Sequence, residues 1–297
     1  MILITGLILV IKPVLACKKE DVKVIIKVGN LYYFLELIIL SIIFIIIFMF
    51  LKKKDKNYQF KFLWIWCFLG FLLHFGKQLV YWNINDLHKS TLENICAVST
   101  VVFPFIMKIR KKSVLHDFMF FIGILGGFAG IVYPTEAINE KMFCFETFRF
   151  YFCHFSLFAI PLFLALFNIH RPDLKKWWLI PVCFLGYELI ICLNTAFLCF
   201  SGLVKREGYT AFQLFIDRNY LNNSFVFGPT DDMGKVGAFI GNLTLPIMKV
   251  DILNINNGKT TYWPVIWLTI PSYILFVPLY LLIAFPFSFK RKRNYLK

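Results

Sequence analysis

Apolar residues in this chain run in long unbroken blocks. Seven stand out, at 31–51, 60–82, 92–108, 115–134, 148–169, 177–199 and 262–287. Blocks of about 20 apolar residues are long enough to cross a hydrocarbon core as helices. A membrane barrel would instead alternate polar and apolar residues, and these blocks do not. In hydrocarbon every backbone N–H and C=O must be paired internally, which leaves the helix. The expected fold is therefore an all-α polytopic membrane protein with about seven transmembrane helices.

The polar stretches divide the chain further. Residues 1–30 form an N-terminal extracytoplasmic segment, and 31–199 a six-helix membrane region. Residues 200–261 form a long extracytoplasmic loop rich in turn formers. Residues 262–297 hold the seventh helix and a basic tail. Met1–Ala16 resembles the apolar core of a signal peptide but is interrupted by Lys12 and Pro13. Val14-Leu15-Ala16-Cys17 resembles a lipoprotein cleavage site, and the expected reading is a retained, ordered or interfacial segment. Pro271, Pro278 and Pro286 are expected to interrupt and kink the seventh span.

Composition agrees with lipid as the solvent. Hydrophobic residues make up 59% and charged residues only 16%, with mean hydropathy +0.69, far from the balance of a water-soluble domain. The formal net charge of +15 does not point to nucleic acid, because the basic residues sit at block ends and form no single patch. They set an orientation instead. The loops 52–61, 108–117 and 170–177 and the tail 290–297 hold 5, 4, 3 and 5 Lys or Arg, against 1 and 2 in the opposite loops 83–91 and 135–149. The positive-inside rule then puts the N-terminus outside and the C-terminus in the cytoplasm. No C-x-x-C pair occurs among Cys17, Cys67, Cys96, Cys144, Cys153, Cys183, Cys192 and Cys199. Neither a disulfide framework nor a metal site is expected, and no cofactor is called for.

This orientation gives each polar residue a depth, at ~1.5 Å rise per residue. Glu36, His74, Lys77, Asn94, Cys96, His154 and Asn194 then share one outer-half layer although they come from five helices. Glu188, near mid-membrane, is the main ionisable group elsewhere. Such groups serve either as polar glue between helices or as the lining of a polar cavity. Cys96 with His154 is the sharpest pair: a thiolate is a nucleophile, and an imidazole can remove its proton. His74 or Lys77 is an alternative base or charge stabiliser. Arg149 and Glu146 are expected to pair at the outer mouth of the fifth span. Gly123, Gly126, Gly127 and Gly130 form overlapping small-x-x-x-small patterns that permit close helix packing. Asn222-Asn223-Ser224 and Asn242-Leu243-Thr244 match the glycosylation pattern on the expected outer side.

Several of these features, in order, resemble the YwaF-like or transmembrane protein 164 family. The short third span opens with Asn94-Ile95-Cys96, and the Gly-rich fourth ends at Tyr133-Pro134. The fifth opens with Phe148-Arg149-Phe150-Tyr151-Phe152-Cys153-His154, and Asn219-Tyr220-Leu221 follows the sixth. The resemblance covers roughly 30–287. It implies a membrane-embedded acyltransferase that moves an acyl chain from a donor phospholipid to a cysteine, then to a lysophospholipid. The family's cysteine falls on Cys96 and its histidine on His154. Members carry a histidine beside the cysteine, where this chain has Asn94, Ile95 and Ala97.

The working expectation is a two-step transfer through a Cys96 thioester. His154 acts as base and acid, and Lys77, Asn94 or Asn194 stabilises the oxyanion. His74 and Arg149 complete the expected substrate-binding set. The partners are membrane phospholipids and lysophospholipids. The competing class is a transporter or lipid scramblase, with Glu36, Lys77 and Glu188 as coupling charges. The location is an integral multi-pass membrane protein, in the cell membrane of a bacterium or an endomembrane otherwise.

Overall fold

The computed structural model describes residues 25–81, 90–109, 113–135, 137–140, 142, 144–222, 224–249 and 262–288, and of 77–81 only the helical backbone. The 14–17 cleavage pattern and the basic tail lie outside the described residues. Nine helices are used below: α1 Leu31–Lys52, α2 Lys56–Tyr81, α3 Ile95–Lys108, α4 Val114–Val132, α5 Phe145–Leu166, α6 Ile180–Phe200, α7 Ala211–Ile216, α8 Gly234–Asn242 and α9 Thr269–Ser288. Among the described residues no strand forms beyond one bridge between Lys249 and Tyr262.

Among the described residues six helices are long and apolar enough to cross a membrane, α6 being extended by the preceding three-ten turn Leu174–Leu179. The protein is an integral, multi-pass membrane protein. Its surface carries apolar side chains that water would not tolerate in such numbers: Phe34, Ile38, Ile42, Ile45, Ile46 and Met49 all project from α1. α1 buries only 6% of its most apolar window, whereas α5 buries 72% and α4 50%. The α4–α5 pair is thus the centre of the bundle, and α1 lies on its rim.

The third expected span is corrected. It begins at Ile95, because the Asn94 side chain caps the helix by accepting the Ala97 N–H at 2.8 Å. Its 14 residues extend only about 21 Å, short of a ~30 Å hydrocarbon core. The seventh expected span is corrected too. It starts at Thr269, after a three-ten turn Ile266–Leu268, and runs unbroken through its prolines. Pro271 falls in the first turn, where no intrahelical N–H bond is lost. α9 packs on the lower parts of α4 and α6: Phe276 lies edge-on to Phe121 and Phe184, and the Tyr280 hydroxyl donates to the Asp173 carbonyl at 3.0 Å.

The segment between α6 and α9 is folded where it is described. Thr210 and Gln213 form a capping box that starts α7. Arg206 pairs with Asp217 and Arg218 with Asp231. Trp267 donates to the carbonyls of Phe225 and Val226 at 2.9 and 3.1 Å, and it packs with Ile216, Phe227 and Tyr262 in the same apolar core as the helices. Asn222, which matches the glycosylation pattern, is part of this packing. Its buried amide donates to the Arg218 and Gly228 carbonyls, each at 2.9 Å, and its oxygen accepts the Phe227 N–H at 3.1 Å. A side chain so occupied is a loop clasp and cannot carry a glycan. Asn242 is exposed at the end of α8.

Candidate functional site

The glycines of α4 explain why α4 and α5 lie so close. Gly123 and Gly127, one turn apart, face the α5 backbone. A β-carbon at Gly123 would lie 2.5 Å from the Leu157 carbonyl oxygen, and one at Gly127 would lie 2.6 Å from the Phe158 nitrogen. No other residue type fits there.

Gly126 and Gly130, on the neighbouring stripe, do something else. A β-carbon at Gly126 would meet the Cys96 Sγ at 3.9 Å, and one at Gly130 would fall 2.0 Å from Cδ2 and 2.7 Å from Nε2 of His154. These glycines are also one turn apart, about 5.4 Å along the axis. Cys96 from α3 and His154 from α5 therefore reach the same glycine face of α4, on adjacent turns.

Local sequence sets both side chains. Cys96 is the second residue of α3, directly after the Asn94 cap, and is half-buried. The positive end of the helix dipole lies there and favours negative charge. The Thr100 hydroxyl donates to the Cys96 carbonyl at 2.8 Å, tightening this turn. His154 sits in the third turn of α5. Its Nδ1 is 3.0 Å from the Phe150 carbonyl oxygen, which only accepts, so Nδ1 carries the proton and the neutral ring keeps its lone pair on Nε2. The Phe150 ring lies against the imidazole, tilted by 32°, with centroids 4.1 Å apart. The rotamer is thus held from two sides.

The other expected site residues divide into three groups. His74 and Asn194 do converge, on Thr91. His74 Nε2 is 3.2 Å from the Thr91 carbonyl, and the Asn194 amide donates to the Thr91 hydroxyl at 3.0 Å. Helices α2 and α6 thereby hold the short segment that leads into Asn94 and Cys96. Thr91 was not among the expected residues, and its signal was only its place three residues before Asn94. Arg149 is engaged elsewhere: it is 6% exposed and its Nε donates to Glu146 at 2.9 Å, as the spacing suggested. The Lys77 side chain lies outside the described residues.

Glu36 lines a different feature, an open groove of about 840 Å³ between α1, α2 and α5. The groove is otherwise walled mainly by apolar residues such as Ile43, Trp66, Phe152 and Phe155. Glu188 is fully buried in α6, with no hydrogen-bond partner for either oxygen among the described residues.

The sequence reading left one cluster unseen. At the far end of α4, Asp117 is fully buried against His170 and Lys176. These residues sit near block ends and read as solvated loop residues when taken singly. No group of three or more His, Cys, Asp or Glu able to hold a metal forms among the described residues. None of the seven described cysteines is in a disulfide.

Against known proteins, a model of the TMEM164 family matches residues 25–222, a range that takes in α1 to α7 and both Cys96 and His154. No curated protein and no solved structure matches the chain.

Proposed function

We propose, for a chain that belongs to the TMEM164 family, that it is a phospholipid acyltransferase working through a cysteine thioester. The observation that carries this reading is the convergence of Cys96 and His154 on Gly126 and Gly130. A nucleophile and a base from different helices pack on adjacent turns of one glycine stripe, where α4 has no side chains of its own to hold them apart.

The chemistry follows from the geometry. His154 Nε2 takes the Cys96 thiol proton. The thiolate attacks the ester carbonyl of a glycerophospholipid. The tetrahedral oxyanion forms at the N-terminal end of α3, where the helix dipole favours negative charge. The C–O bond breaks and the imidazolium returns its proton to the departing glycerol oxygen, releasing a lysophospholipid. In the second half His154 takes the proton of an acceptor hydroxyl, which attacks the thioester. The C–S bond breaks and the thiolate regains the proton. Asn94 serves by capping the helix, and His74 and Asn194 by holding the Thr91 segment. With the N-terminus outside, this site faces the outer leaflet.

The test is mass spectrometry of the purified protein with a defined phospholipid, with Cys96→Ser and His154→Ala in parallel. An acyl adduct on Cys96 is expected, absent from both variants and discharged by a lysophospholipid. No adduct with any lipid, and no reacylation of lysolipids, sinks the reading. The alternative is a scramblase or transporter, and the open groove at Glu36 together with the buried Glu188 favours it. That reading expects lipid or solute movement to survive Cys96→Ser.

A further inference from the structure

The far end of α4 holds a second polar site that the acyl-transfer reading does not use. Ser113 is the N-cap of α4, and His116, three residues on, closes a capping box, a place usually held by Glu or Gln. The Ser113 N–H donates to His116 Nδ1 at 3.4 Å, and the Ser113 Oγ lies 3.1 Å from the same nitrogen. A ring nitrogen that accepts carries no proton, so the neutral ring presents N–H at Nε2.

Asp117, the next residue, is 0% exposed. Its Oδ1 accepts from His170 Nε2 at 2.9 Å and from the Asp173 N–H at 3.2 Å, and the Lys176 ammonium lies 3.6 Å from Oδ2. The carboxylate accepts the His170 Nε2–H and fixes the ring, whose other nitrogen in the neutral form is an acceptor. The His170 and His116 rings lie 5.1 Å apart, tilted by 31°.

Both imidazoles line a pocket of about 330 Å³, together with Lys108 at the end of α3. The Lys108 ammonium is held 4.0 Å over the Trp64 ring. The rest of the described lining is apolar, including Phe60, Met107 and Leu164, and it contains no carboxylate. Asp117 stands behind His170, its charge already met by His170 and Lys176. The pocket therefore offers the His116 N–H and the Lys108 ammonium without a competing acid. That combination suits an oxyanion, which accepts several charge-assisted hydrogen bonds at once.

We propose that this pocket is a binding site for a phosphate-type oxyanion, held by Lys108 and His116 Nε2–H, with the His170 ring forming part of the wall. The group can arrive as the headgroup phosphate of an anionic lipid at that membrane face or as free phosphate. The proposal is independent of the acyl-transfer reading, since none of these residues contacts the α4 glycines beside Cys96 and His154.

The test uses the full chain in phosphatidylcholine nanodiscs, read by its thermal unfolding midpoint, which rises when a ligand binds the folded state. One arm titrates sodium phosphate against sodium chloride at matched ionic strength. A second arm dopes the nanodiscs with phosphatidic acid. A saturable rise that chloride does not reproduce is expected. Lys108→Gln with His116→Gln should need about tenfold more phosphate or more, the loss of about one charge-assisted bond. Lys108→Gln alone, at an exposed position, gives the same reading where the double variant folds poorly. A rise in the doped nanodiscs alone supports the site and assigns it to a lipid headgroup, and a rise in both arms means that free phosphate suffices. Midpoints that stay still in both arms, or that move equally in wild type and variants, overturn the proposal.

Discussion

The two ends of α4 hold polar groups in opposite ways. At its C-terminal end Gly126 and Gly130 present bare backbone, and the Cys96 sulfur and the His154 imidazole come to them from other helices. At its N-terminal end α4 supplies the polar groups itself: Ser113, His116 and Asp117, the last locked to His170 and Lys176. The difference separates two uses of polarity in an apolar medium. A buried carboxylate must be paired to be tolerated, and once paired it fixes the structure around it. A thiol and a neutral imidazole cost less to bury, so they need no buried counter-charge to be held against the helix. The comparison predicts that mutations at the N-terminal end act on stability and those on the Gly126–Gly130 stripe on reactivity.

The largest expected effect is at Asp117. Asp117→Asn removes the buried carboxylate that accepts from His170 and the Asp173 N–H and faces Lys176, and should cost about 3 kcal/mol, read as a fall in thermal midpoint and in yield. An unchanged midpoint would break the comparison at its strongest point. Gly127→Ala comes next, because its methyl group meets the α5 backbone 2.6 Å away. It should destabilise by about 1–3 kcal/mol or more, as overpacking does, and unfold before it inactivates. Gly130→Ala sharpens the contrast from one turn away. There the atoms nearest the methyl group all belong to the His154 ring and none to the α5 backbone, so the fold should survive while adduct formation on Cys96 falls about 10²-fold. Equal loss of stability in both alanine variants would mean that the two glycine stripes do the same work. Asn94→Ala is the smallest. Losing the α3 cap should cost about 1 kcal/mol and slow adduct formation by loosening the turn that carries Cys96. Circular dichroism and adduct kinetics on the same sample check both.

The sequence made some of this legible and hid the rest for physical reasons. Hydropathy found the long helices because each must satisfy its backbone within one continuous apolar block. It missed the start of α3 by three residues, since the Asn94 cap decides there and Leu92 and Glu93 precede it. Alternating orientation brought Cys96, His154, His74 and Asn194 to one depth. Depth alone said nothing of azimuth, and so could not show that the first two meet at α4 while the other two meet at Thr91. The glycine pattern read as packing, which is half of its role: only the contacts distinguish the stripe of Gly123 and Gly127 from that of Gly126 and Gly130. The Asp117–His170 pair was invisible because 53 residues separate its members and each lies near a charged loop.

The brevity of α3 acts on the bilayer as well as on the protein. A helix of 14 residues falls about 9 Å short of the hydrocarbon thickness. Most of α3 is buried in the bundle, but where its exposed side at Phe105 meets lipid the membrane must thin, or polar chain and water must dip inward, at a cost of fractions of a kcal/mol per Å of mismatch. Either response draws the ester linkages of neighbouring lipids down toward the depth at which α3 begins. A thicker, sterol-rich bilayer resists that deformation more than a thin one, so membrane thickness becomes a variable that sets where this protein sits most comfortably and how near its surrounding lipids come to the start of that helix.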